Sequence, residues 1–300
     1  MGFFAKLSPP LQGVLVMMLA ALLLTFNDAL SKYLTQTYSV GQVIALRQLC
    51  AMAIIIPYIH FVTGWGAVHV TNRIGVGVRA LCFIATTGFI VLSFSVLPLA
   101  LVTAIAFASP IFVVAFSHFV LREQVGIRRW LAVVAGFVGV LVIVRPAGAG
   151  FEPVLILPVL AALAAGLRDT VTKHLQSSDA SIAILFWSSL AVIAAASLTV
   201  PFGWQWVTPA AAVLLLLNGA LNAAAHFLMI DALRLGDASL VAPFRFTGLL
   251  WATILGLVFW GQFPDGWTFV GAGILIAAGI YIIERSPKKA ASGNTKEGVS

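Results

Sequence analysis

The chain has 300 residues, of which 61% are hydrophobic and only 9% are charged, and its formal net charge at pH 7 is +7. About a quarter of the residues of an ordinary soluble domain are charged, so this composition excludes a protein that covers its whole surface with polar side chains. The apolar runs are long and continuous rather than alternating, which predicts an all-α integral membrane protein. The positive charge is typical of cytoplasmic membrane loops, so we expect no nucleic acid as a partner.

Ten apolar segments of spanning length follow one another along the chain. Each is near the roughly 20 residues that an α-helix needs to cross the hydrocarbon core. We predict them at residues 11–34, 40–62, 74–96, 99–121, 127–145, 153–175, 180–201, 209–233, 237–260 and 266–284. The first segment resembles a signal peptide, but no small-residue cleavage site follows it, so we expect it to be retained as a helix.

The charges in the loops predict an orientation. One set of alternate loops and ends contains Lys6, Arg73, Arg79, Arg122, Arg128, Arg129, Lys173, Arg234, Arg285, Lys288 and Lys289, whereas the other set contains only Arg145. Because cytoplasmic loops carry the excess of Lys and Arg, both termini are predicted to lie in the cytoplasm. The last residues, 286–300, are polar and are predicted to form a disordered cytoplasmic tail.

Two polar stretches inside the apolar segments resemble each other. The stretches "NDALSKYL" at 27–34 and "RDTVTKHL" at 168–175 match at a shift of 141 residues. The matching pairs are Asp28 and Asp169, Ser31 and Thr172, Lys32 and Lys173, and Leu34 and Leu175. The match divides the chain into two repeats of five helices, 1–147 and 148–285. Since five is odd, the second repeat enters the membrane from the opposite face, an arrangement that many secondary transporters use for alternating access.

The Asp and Lys of each stretch are spaced i, i+4 with the acid first, which is the favourable order for an ion pair on a helix. One hypothesis is that Asp28, Lys32, Asp169 and Lys173 are gate or coupling elements facing a cavity between the halves. In that case Asp28 or Asp169 would be a protonation site. The alternative is that the lysines extend to the lipid headgroups and anchor the helix ends. The sequence leaves both interpretations open.

Two arginines lie inside predicted spanning helices, Arg47 in "VIALRQLC" and Arg245 in "VAPFRFTG". A guanidinium group at the bilayer centre costs roughly 2.5–3.5 kcal/mol even on the most lenient scales, so each needs a counter-charge, carbonyls, water or a substrate group. We favour a cavity-facing role, the alternative being a structural ion pair with Asp28 or another acid. Arginine binds planar anions and stacks on rings, so the predicted substrate carries a carboxylate, a phosphate or an electron-rich ring.

Prolines also lie inside two of the predicted helices, at comparable positions in the two halves. Pro110 lies in "FASPIF" of the fourth segment, and Pro243 lies in "LVAPFR" of the ninth. A proline removes one backbone hydrogen bond and clashes with the preceding turn, so we predict a kink at each position. Kinks are also common for packing reasons alone, but the similar placement favours a mechanical role.

The eighth predicted helix carries a polar stripe. Asn218, Asn222 and His226 recur at every fourth residue and therefore share one helical face. We interpret them, with Trp187 of the seventh helix, as cavity-lining residues, the alternative being hydrogen bonds that hold helices together. The sequence has no HExxH, GxSxG or Walker motif and no Cys/His cluster with metal-ligand spacing, so we expect no catalytic residue, metal site or cofactor.

With these features the chain resembles the EamA-type transporters of the drug/metabolite transporter superfamily over about residues 10–285. The clearest stretches are "NDALSKYLTQTYSVGQVIALRQ" and "LRLGDASLVAPFRFTGLLWATILGLVFWGQFPDGWTFVGAGILIAAGIY". Members often have an acidic residue just after the fourth and ninth helices; Glu123 fits this pattern, but Gln262 stands at the second position. The resemblance is strongest to bacterial members that take up vitamins or cofactor-like metabolites, such as riboflavin or S-adenosylmethionine.

We therefore expect a multi-pass transporter of the bacterial inner membrane, with its substrate site between the two halves. The leading hypothesis is uptake of a small metabolite such as riboflavin, and the alternative within the class is export of amino acids or drugs. From other classes, a membrane-embedded enzyme and a sensory or structural subunit stay open. The expected partners are the small-molecule substrate and membrane lipid, with a homodimer as an open alternative.

Overall fold

The computed structural model describes residues 9–120, 126–144, 152–175, 178–235 and 242–284. Within these ranges the chain forms helices and turns and contains no strand, which confirms the predicted all-α fold. Glu123 and the predicted tail at 286–300 lie outside the described residues.

The described ranges contain eleven α-helices joined by short connections. In chain order they are α1 (Pro9–Leu34), α2 (Val40–Tyr58), α3 (Arg73–Val96), α4 (Leu99–Ala106), α5 (Ser109–Val120), α6 (Ile127–Val144), α7 (Ile156–Leu175), α8 (Ser181–Ser197), α9 (Pro209–Leu235), α10 (Thr247–Trp260) and α11 (Gly266–Glu284). A π-helical turn, Ile59–Thr63, extends α2, and 3₁₀ turns, Pro153–Leu155 and Ala242–Phe246, precede α7 and α10.

Six helical stretches of the described chain are long and apolar enough to cross a membrane: Leu11–Leu34, Val40–Thr63, Arg73–Val96, Leu99–Phe119, Pro153–Leu175 and Pro209–Met229. Four further apolar helical stretches are shorter: Trp130–Val144, Ser181–Ser197, Phe244–Trp260 and Gly266–Ala278. The helices match the positions of the predicted segments, but length and composition identify only six as spanning, so the count of ten stays a prediction.

The fourth predicted segment, 99–121, is not one continuous helix. It is divided into α4 and α5 at Phe107 and Ala108, and Pro110 is the second residue of α5. Proline lacks the backbone N–H and disfavours a helical conformation at the preceding residue, so it is tolerated best in the first turn of a helix. In the other half, Pro243 lies in the 3₁₀ turn that precedes α10. Both prolines therefore lie where the helical geometry changes.

The two halves of the chain pack against each other through reciprocal helix contacts. α1 lies mainly against α9, and α3 lies mainly against α7, so the first helix of each half contacts the third helix of the other. The last helices of the two halves, α6 and α11, cross at two glycines. A Cβ atom added to Gly271 would lie 2.7 Å from the backbone oxygen of Gly139, a separation that only glycine permits.

Large apolar side chains face outward around the helices. Leu131 and Phe137 of α6, Val213 of α9, Val258 of α10 and Val270 of α11 are each more than half exposed. Scattered apolar residues are ordinary on a soluble protein, but an apolar surface that surrounds the helices is suited to lipid. The polar side chains described below lie inside this apolar shell.

Candidate functional site

A buried hydrogen-bond network joins α1, α2 and α9 at the Ser31 hydroxyl. Ser31 Oγ donates to the backbone oxygen of Asn27 over 2.9 Å, as serines in apolar helices commonly do. It accepts hydrogen bonds from Arg47 Nη1 at 3.3 Å and from Asn218 Nδ2 at 3.0 Å. Ser31 and Asn218 are fully buried, and Arg47 is 6% exposed. The network thus brings together Arg47 and Asn218, which were predicted as cavity residues, although they come from different halves.

Asp28 lies at the edge of this network and is half-buried. Its Oδ1 accepts a hydrogen bond of 3.0 Å from Asn27 Nδ2. Arg47 is close enough to Asp28 to interact with it electrostatically, but in the part of the chain that the structure describes the two side chains are not in ion-pair contact. Asp28 therefore has a neutral amide, rather than a cation, as its direct partner.

Lys32 does not form the i, i+4 ion pair with Asp28 that the spacing predicts. Its ammonium group donates to the backbone oxygens of Phe94 and Leu97, at 2.9 Å and 2.6 Å, and lies 5.6 Å from the centre of the Trp260 ring. These oxygens belong to the end of α3, where helical carbonyls have no partner within the helix. Lys32 is only 6% exposed, whereas its counterpart Lys173 is exposed.

A second polar cluster joins α3 and α7. Arg168 forms an ion pair of 2.8 Å with its neighbour Asp169, and Arg79 Nε donates to Thr172 Oγ1 over 3.2 Å. The guanidinium groups of Arg79 and Arg168 lie 5.1 Å and 5.7 Å from the centre of the Phe83 ring. Thr172 matches Ser31 in the repeat, so each half places an equivalent hydroxyl against the third helix of the other half.

His226 lies between the two clusters on α9. Its Nδ1 is 2.8 Å from the backbone oxygen of Asn222, one turn earlier, and the ring is within electrostatic range of Arg47, Arg168 and Arg245. Arg245 is half-buried in the 3₁₀ turn before α10 and interacts electrostatically with Asp169. Three guanidinium groups thus lie within electrostatic range of His226.

Trp187 does not join this region. It is 43% exposed, and its indole N–H donates to the backbone oxygen of Val68 over 3.0 Å. The polar residues beside it on α8 face inward instead, and Ser189 Oγ accepts a hydrogen bond of 2.7 Å from Gln48 Nε2 of α2. The structure therefore places Ser188 and Ser189, rather than Trp187, in the buried part of α8.

Loops from the two halves meet at one end of the molecule through Tyr38 and Gln42. The Gln42 amide exchanges two hydrogen bonds with the backbone of Gln205, of 2.7 Å and 3.1 Å. The backbone N–H of Thr208, just before α9, donates to the Tyr38 hydroxyl over 3.2 Å. This end therefore has direct polar contacts from the connection α1–α2 and the first turn of α2 to the connection α8–α9.

The opposite end has a comparable contact, through Asp179. Its carboxylate accepts hydrogen bonds of 2.5 Å from the Thr71 N–H and 3.2 Å from the Asn72 N–H, just before α3. The Ser178 hydroxyl, with these two N–H groups, lowers the pKa of Asp179 below its usual range. Positions 38 and 179 differ by 141, the same shift as in the repeat, so equivalent positions tie the halves together at opposite ends.

Several polar residues of these clusters were not predicted: Asn27, Ser31, Gln48, Arg79 and Arg168. Their shared signal is a polar side chain within an apolar helix. Ser31 carried a further signal, since it matches Thr172 in the repeat, and Arg168 occupies the position equivalent to Asn27. The orphaned atoms are informative as well: within the described residues, the buried atoms Asn27 Oδ1, Arg47 Nε and Asn218 Oδ1 have no hydrogen-bond partner.

Among the described residues of these clusters, cations outnumber acids. Arg47, Arg79, Arg168 and Arg245 contribute four guanidinium groups and Lys32 an ammonium group, whereas Asp28 and Asp169 contribute two carboxylates. Charges inside an apolar shell are costly unless they are compensated. The arrangement can therefore compensate its excess positive charge by binding an anionic group, and guanidinium groups are suited to carboxylates and phosphates.

The chain matches the model of the EamA-like transporter family twice, at residues 11–145 and 153–285. An S-adenosylmethionine uptake transporter of Rickettsia prowazekii is 27% identical over 94% of this chain and 96% of its own length. A riboflavin transporter of Vibrio cholerae is 28% identical over 93% of this chain and 95% of its own length. A pseudopaline exporter of Pseudomonas aeruginosa is 25% identical over 92% of this chain and 97% of its own length.

A solved structure also aligns with the chain, with a TM-score of 0.62 over 90% of this chain and 96% of that chain. The sequence identity between the two is 18%, so this likeness concerns the fold alone.

Proposed function

Since the chain belongs to the EamA-like transporter family, we propose that it is a secondary transporter that moves a small organic metabolite by alternating access. It is a multi-pass protein of the bacterial inner membrane, and the relatives described above are transporters. The substrate site of this proposal lies between the two halves, where Arg47 of α2 meets Ser31 and Asn218.

The proposal includes ten spanning helices in two inverted five-helix repeats, 1–147 and 148–285, with both termini in the cytoplasm. The two separate family matches support the division of the chain. The packing of α1 on α9 and of α3 on α7 supports a two-fold relation between the halves. The contacts of the equivalent positions Tyr38 and Asp179 at opposite ends support its inversion. The basic loops support the orientation.

The excess of guanidinium groups in the interior is the observation that carries the proposal. Substrate and coupling-ion sites of such transporters lie near the bilayer midplane between the repeats, and intramembrane ionisable groups mark substrate pathways. Arg47 and Arg245, which both lie within electrostatic range of His226, provide positive charge there. We infer a substrate with an anionic group and a flat heteroaromatic part, since arginine also stacks on rings.

Uptake is the proposed direction, and a cofactor-like metabolite is the proposed cargo. The names of the relatives in Rickettsia and Vibrio point to S-adenosylmethionine and riboflavin. S-adenosylmethionine has a carboxylate that a guanidinium group can bind, but it also carries an ammonium and a sulfonium cation, whereas riboflavin is uncharged at neutral pH. The excess of guanidinium groups therefore does not choose between the two compounds. The pseudopaline exporter supports the alternative direction, and the same experiment distinguishes the two.

The end contacts are the proposed gates, together with Asp28, Lys32, Asp169 and Lys173. In this scheme one end separates while the other stays closed, so Tyr38 and Gln42 act opposite Asp179. Lys32 contributes by linking α1 to the end of α3, and α5 and α10 move at the breaks near Pro110 and Pro243.

The test is transport of labelled S-adenosylmethionine and riboflavin into proteoliposomes that contain the purified chain, with and without a proton gradient. Efflux from preloaded vesicles gives the direction. We expect time-dependent, saturable uptake of at least one compound. An absence of transport for every tested metabolite, beside measurable turnover of a lipid, would contradict the proposal and favour a membrane enzyme.

Arg47→Ala tests the site itself. We expect the KM for uptake to rise by at least tenfold, because truncation of the side chain removes the guanidinium donors that the substrate would use. Thr103→Val is a matched control, since within the described residues the Thr103 hydroxyl donates only to the backbone oxygen of Leu99 in its own helix. Unchanged kinetics in well-folded Arg47→Ala protein would rule out this role for Arg47.

A further inference from the structure

We propose that the Ser31 network is a subsite for an α-amino acid head group, with the ammonium on the Asn27, Asp28 and Asn218 oxygens and the carboxylate on Arg47. The inference rests on the proposed transport function and specifies the class of substrate. It follows from which hydrogen-bonding atoms the protein satisfies by itself and which it leaves open.

The orientation of both asparagine amides is fixed by their partners. Asn218 Nδ2 donates to Ser31 Oγ and to the backbone oxygen of Asn27, at 3.0 Å and 3.3 Å. Asn27 Nδ2 donates to a carboxylate oxygen of Asp28 at 3.0 Å. Since a carbonyl and a carboxylate only accept, the nitrogen of each amide must face them. The two amide oxygens are therefore available as acceptors.

Both amide oxygens are buried and have no donor within the described residues. The second carboxylate oxygen of Asp28 likewise has no protein donor in this part of the chain. Three acceptors on α1 and α9 are thus without a donor, and an ammonium group has three N–H donors. The number of these acceptors thus equals the number of N–H donors of one amine.

Arg47 supplies the hydrogen-bond donors of the subsite. Its Nη1 atom donates to Ser31, whereas its buried Nε atom has no acceptor among the described residues. A carboxylate accepts from guanidinium groups with matching geometry. The unsatisfied donor and the unsatisfied acceptors belong to one connected network, so the ligand must carry both kinds of group close together. An α-amino acid does so on a single carbon atom.

In the other half of the repeat, the protein itself supplies a cation to the equivalent acid. Position 168, which is equivalent to 27, is an arginine, and Arg168 forms an ion pair with Asp169. At the equivalent place Asn27 provides only a neutral amide to Asp28. The acid on α1 therefore lacks the neighbouring cation that its counterpart has, and an incoming ammonium group takes that place.

The experiment compares ligands that differ in the head group. Binding of labelled S-adenosylmethionine to the purified chain is measured in competition with S-adenosylhomocysteine, methionine, 5′-methylthioadenosine and riboflavin. The last two compounds lack the amino acid. We expect S-adenosylhomocysteine to compete at least tenfold better than 5′-methylthioadenosine. Equal competition by both, or binding of riboflavin alone, would overturn the inference while transport of riboflavin still upheld the proposed function.

Two variants locate the subsite. Asn27→Arg gives Asp28 the same neighbour that Asp169 has, and Asn218→Leu removes one acceptor. Each should weaken the binding of compounds with the amino acid head group by at least tenfold. The affinity for 5′-methylthioadenosine should stay within twofold of the wild-type value, so that the preference for the amino acid head group disappears. Thr103→Val should preserve the preference. If both classes of compound weaken together, or if no α-amino acid binds at all, the network has only a structural role and the inference is wrong.

Discussion

Asp28 and Lys32 lie one helical turn apart on α1, yet their partners come from different parts of the molecule. The spacing predicts a pair, but the pair is worth little compared with two hydrogen bonds from an ammonium group to buried carbonyls. Lys32 therefore caps the end of α3 through the backbone oxygens of Phe94 and Leu97. Asp28 instead accepts a hydrogen bond from Asn27. The i, i+4 rule does not account for this, because α3 approaches only after folding.

Lys32→Met should destabilise the protein. The substitution keeps most of the apolar stem but leaves two buried carbonyls at the end of α3 without a donor, and hydrogen bonds from charged groups contribute about 1.5–3 kcal/mol. The measurement is thermal unfolding of the purified protein in detergent. Tyr33→Phe is the control, since Tyr33 is the next residue and is 54% exposed. Equal midpoints for the two variants would contradict the role of Lys32.

At the residue scale, the sequence indicated which charges are costly but not which neutral groups surround them. Arg47 could be predicted because a guanidinium in an apolar helix requires compensation. Asn27 could not, because asparagine in such a helix is common as a link between helices. The unsatisfied Asn27 oxygen became visible only when the partners of its nitrogen were known.

At the scale of elements, close approach of helices depends on single glycines. Gly271 and Gly273 both lie on α11, but only the first faces α6. A Cβ atom on Gly271 would lie 2.4 Å from Ile143 Cγ1 and 2.7 Å from the Gly139 oxygen, whereas a Cβ atom on Gly273 would meet nothing within 4 Å. Residues two positions apart lie on different faces of a helix, but the sequence alone does not show which face of α11 meets α6.

Gly271→Ala should therefore lower stability by about 1–3 kcal/mol, because α6 and α11 must separate to accommodate the methyl group. Gly273→Ala should leave the midpoint unchanged or raise it, since alanine is the better helix former by roughly 1 kcal/mol. Thermal unfolding of both variants in the same detergent gives the comparison. A loss of stability in Gly273→Ala as large as that in Gly271→Ala would show that the α6–α11 crossing is not the cause.

The contact of Asp179 with the start of α3 makes a pH-dependent contribution. The Ser178 hydroxyl and the Thr71 and Asn72 N–H groups lower the pKa of this carboxyl in the folded protein, so the ionised form stabilises the fold. That contribution is present above the ordinary carboxyl pKa of about 4 and is lost as the pH falls through the lowered folded-state value. Ionised Asp179 therefore stabilises the folded protein at neutral pH.

The expected result concerns the difference in unfolding midpoint between wild type and Asp179→Asn. This difference should be largest at pH 7 and should shrink as the pH falls below about 4, where the wild-type carboxyl becomes neutral like the amide. Other acidic groups are common to both proteins and cancel in the comparison. A difference that stays constant from pH 7 to pH 3 would mean that the charge of Asp179 has no part in the contact.

At the scale of the whole molecule, the sequence repeat predicts more than its few matched residues indicate. Ser31 and Thr172 contact the third helix of the opposite half in equivalent ways, and Tyr38 and Asp179 bind the opposite half at opposite ends. What the repeat does not predict is the difference between the halves. Asn27 and Arg168 occupy equivalent positions, but the first is neutral and the second is positively charged. The two polar clusters therefore differ in charge although the helices around them are arranged with approximate symmetry.

Inversion of the repeats predicts that equivalent loops face opposite sides of the membrane. Gln36 lies in the first connection of the first repeat and Ser178 in the first connection of the second, and both are exposed. With the termini in the cytoplasm, Gln36 is external, whereas Ser178 and the exposed Gly126 are cytoplasmic. Single cysteines at these positions, in a Cys50→Ala and Cys82→Ala background, should react accordingly with a membrane-impermeant maleimide on intact cells. Gln36→Cys should be labelled at once, and the other two only after permeabilisation. Labelling of Gln36→Cys and Ser178→Cys from the same side would contradict the inversion, whereas a reversal of all three would keep the inversion and correct only the orientation.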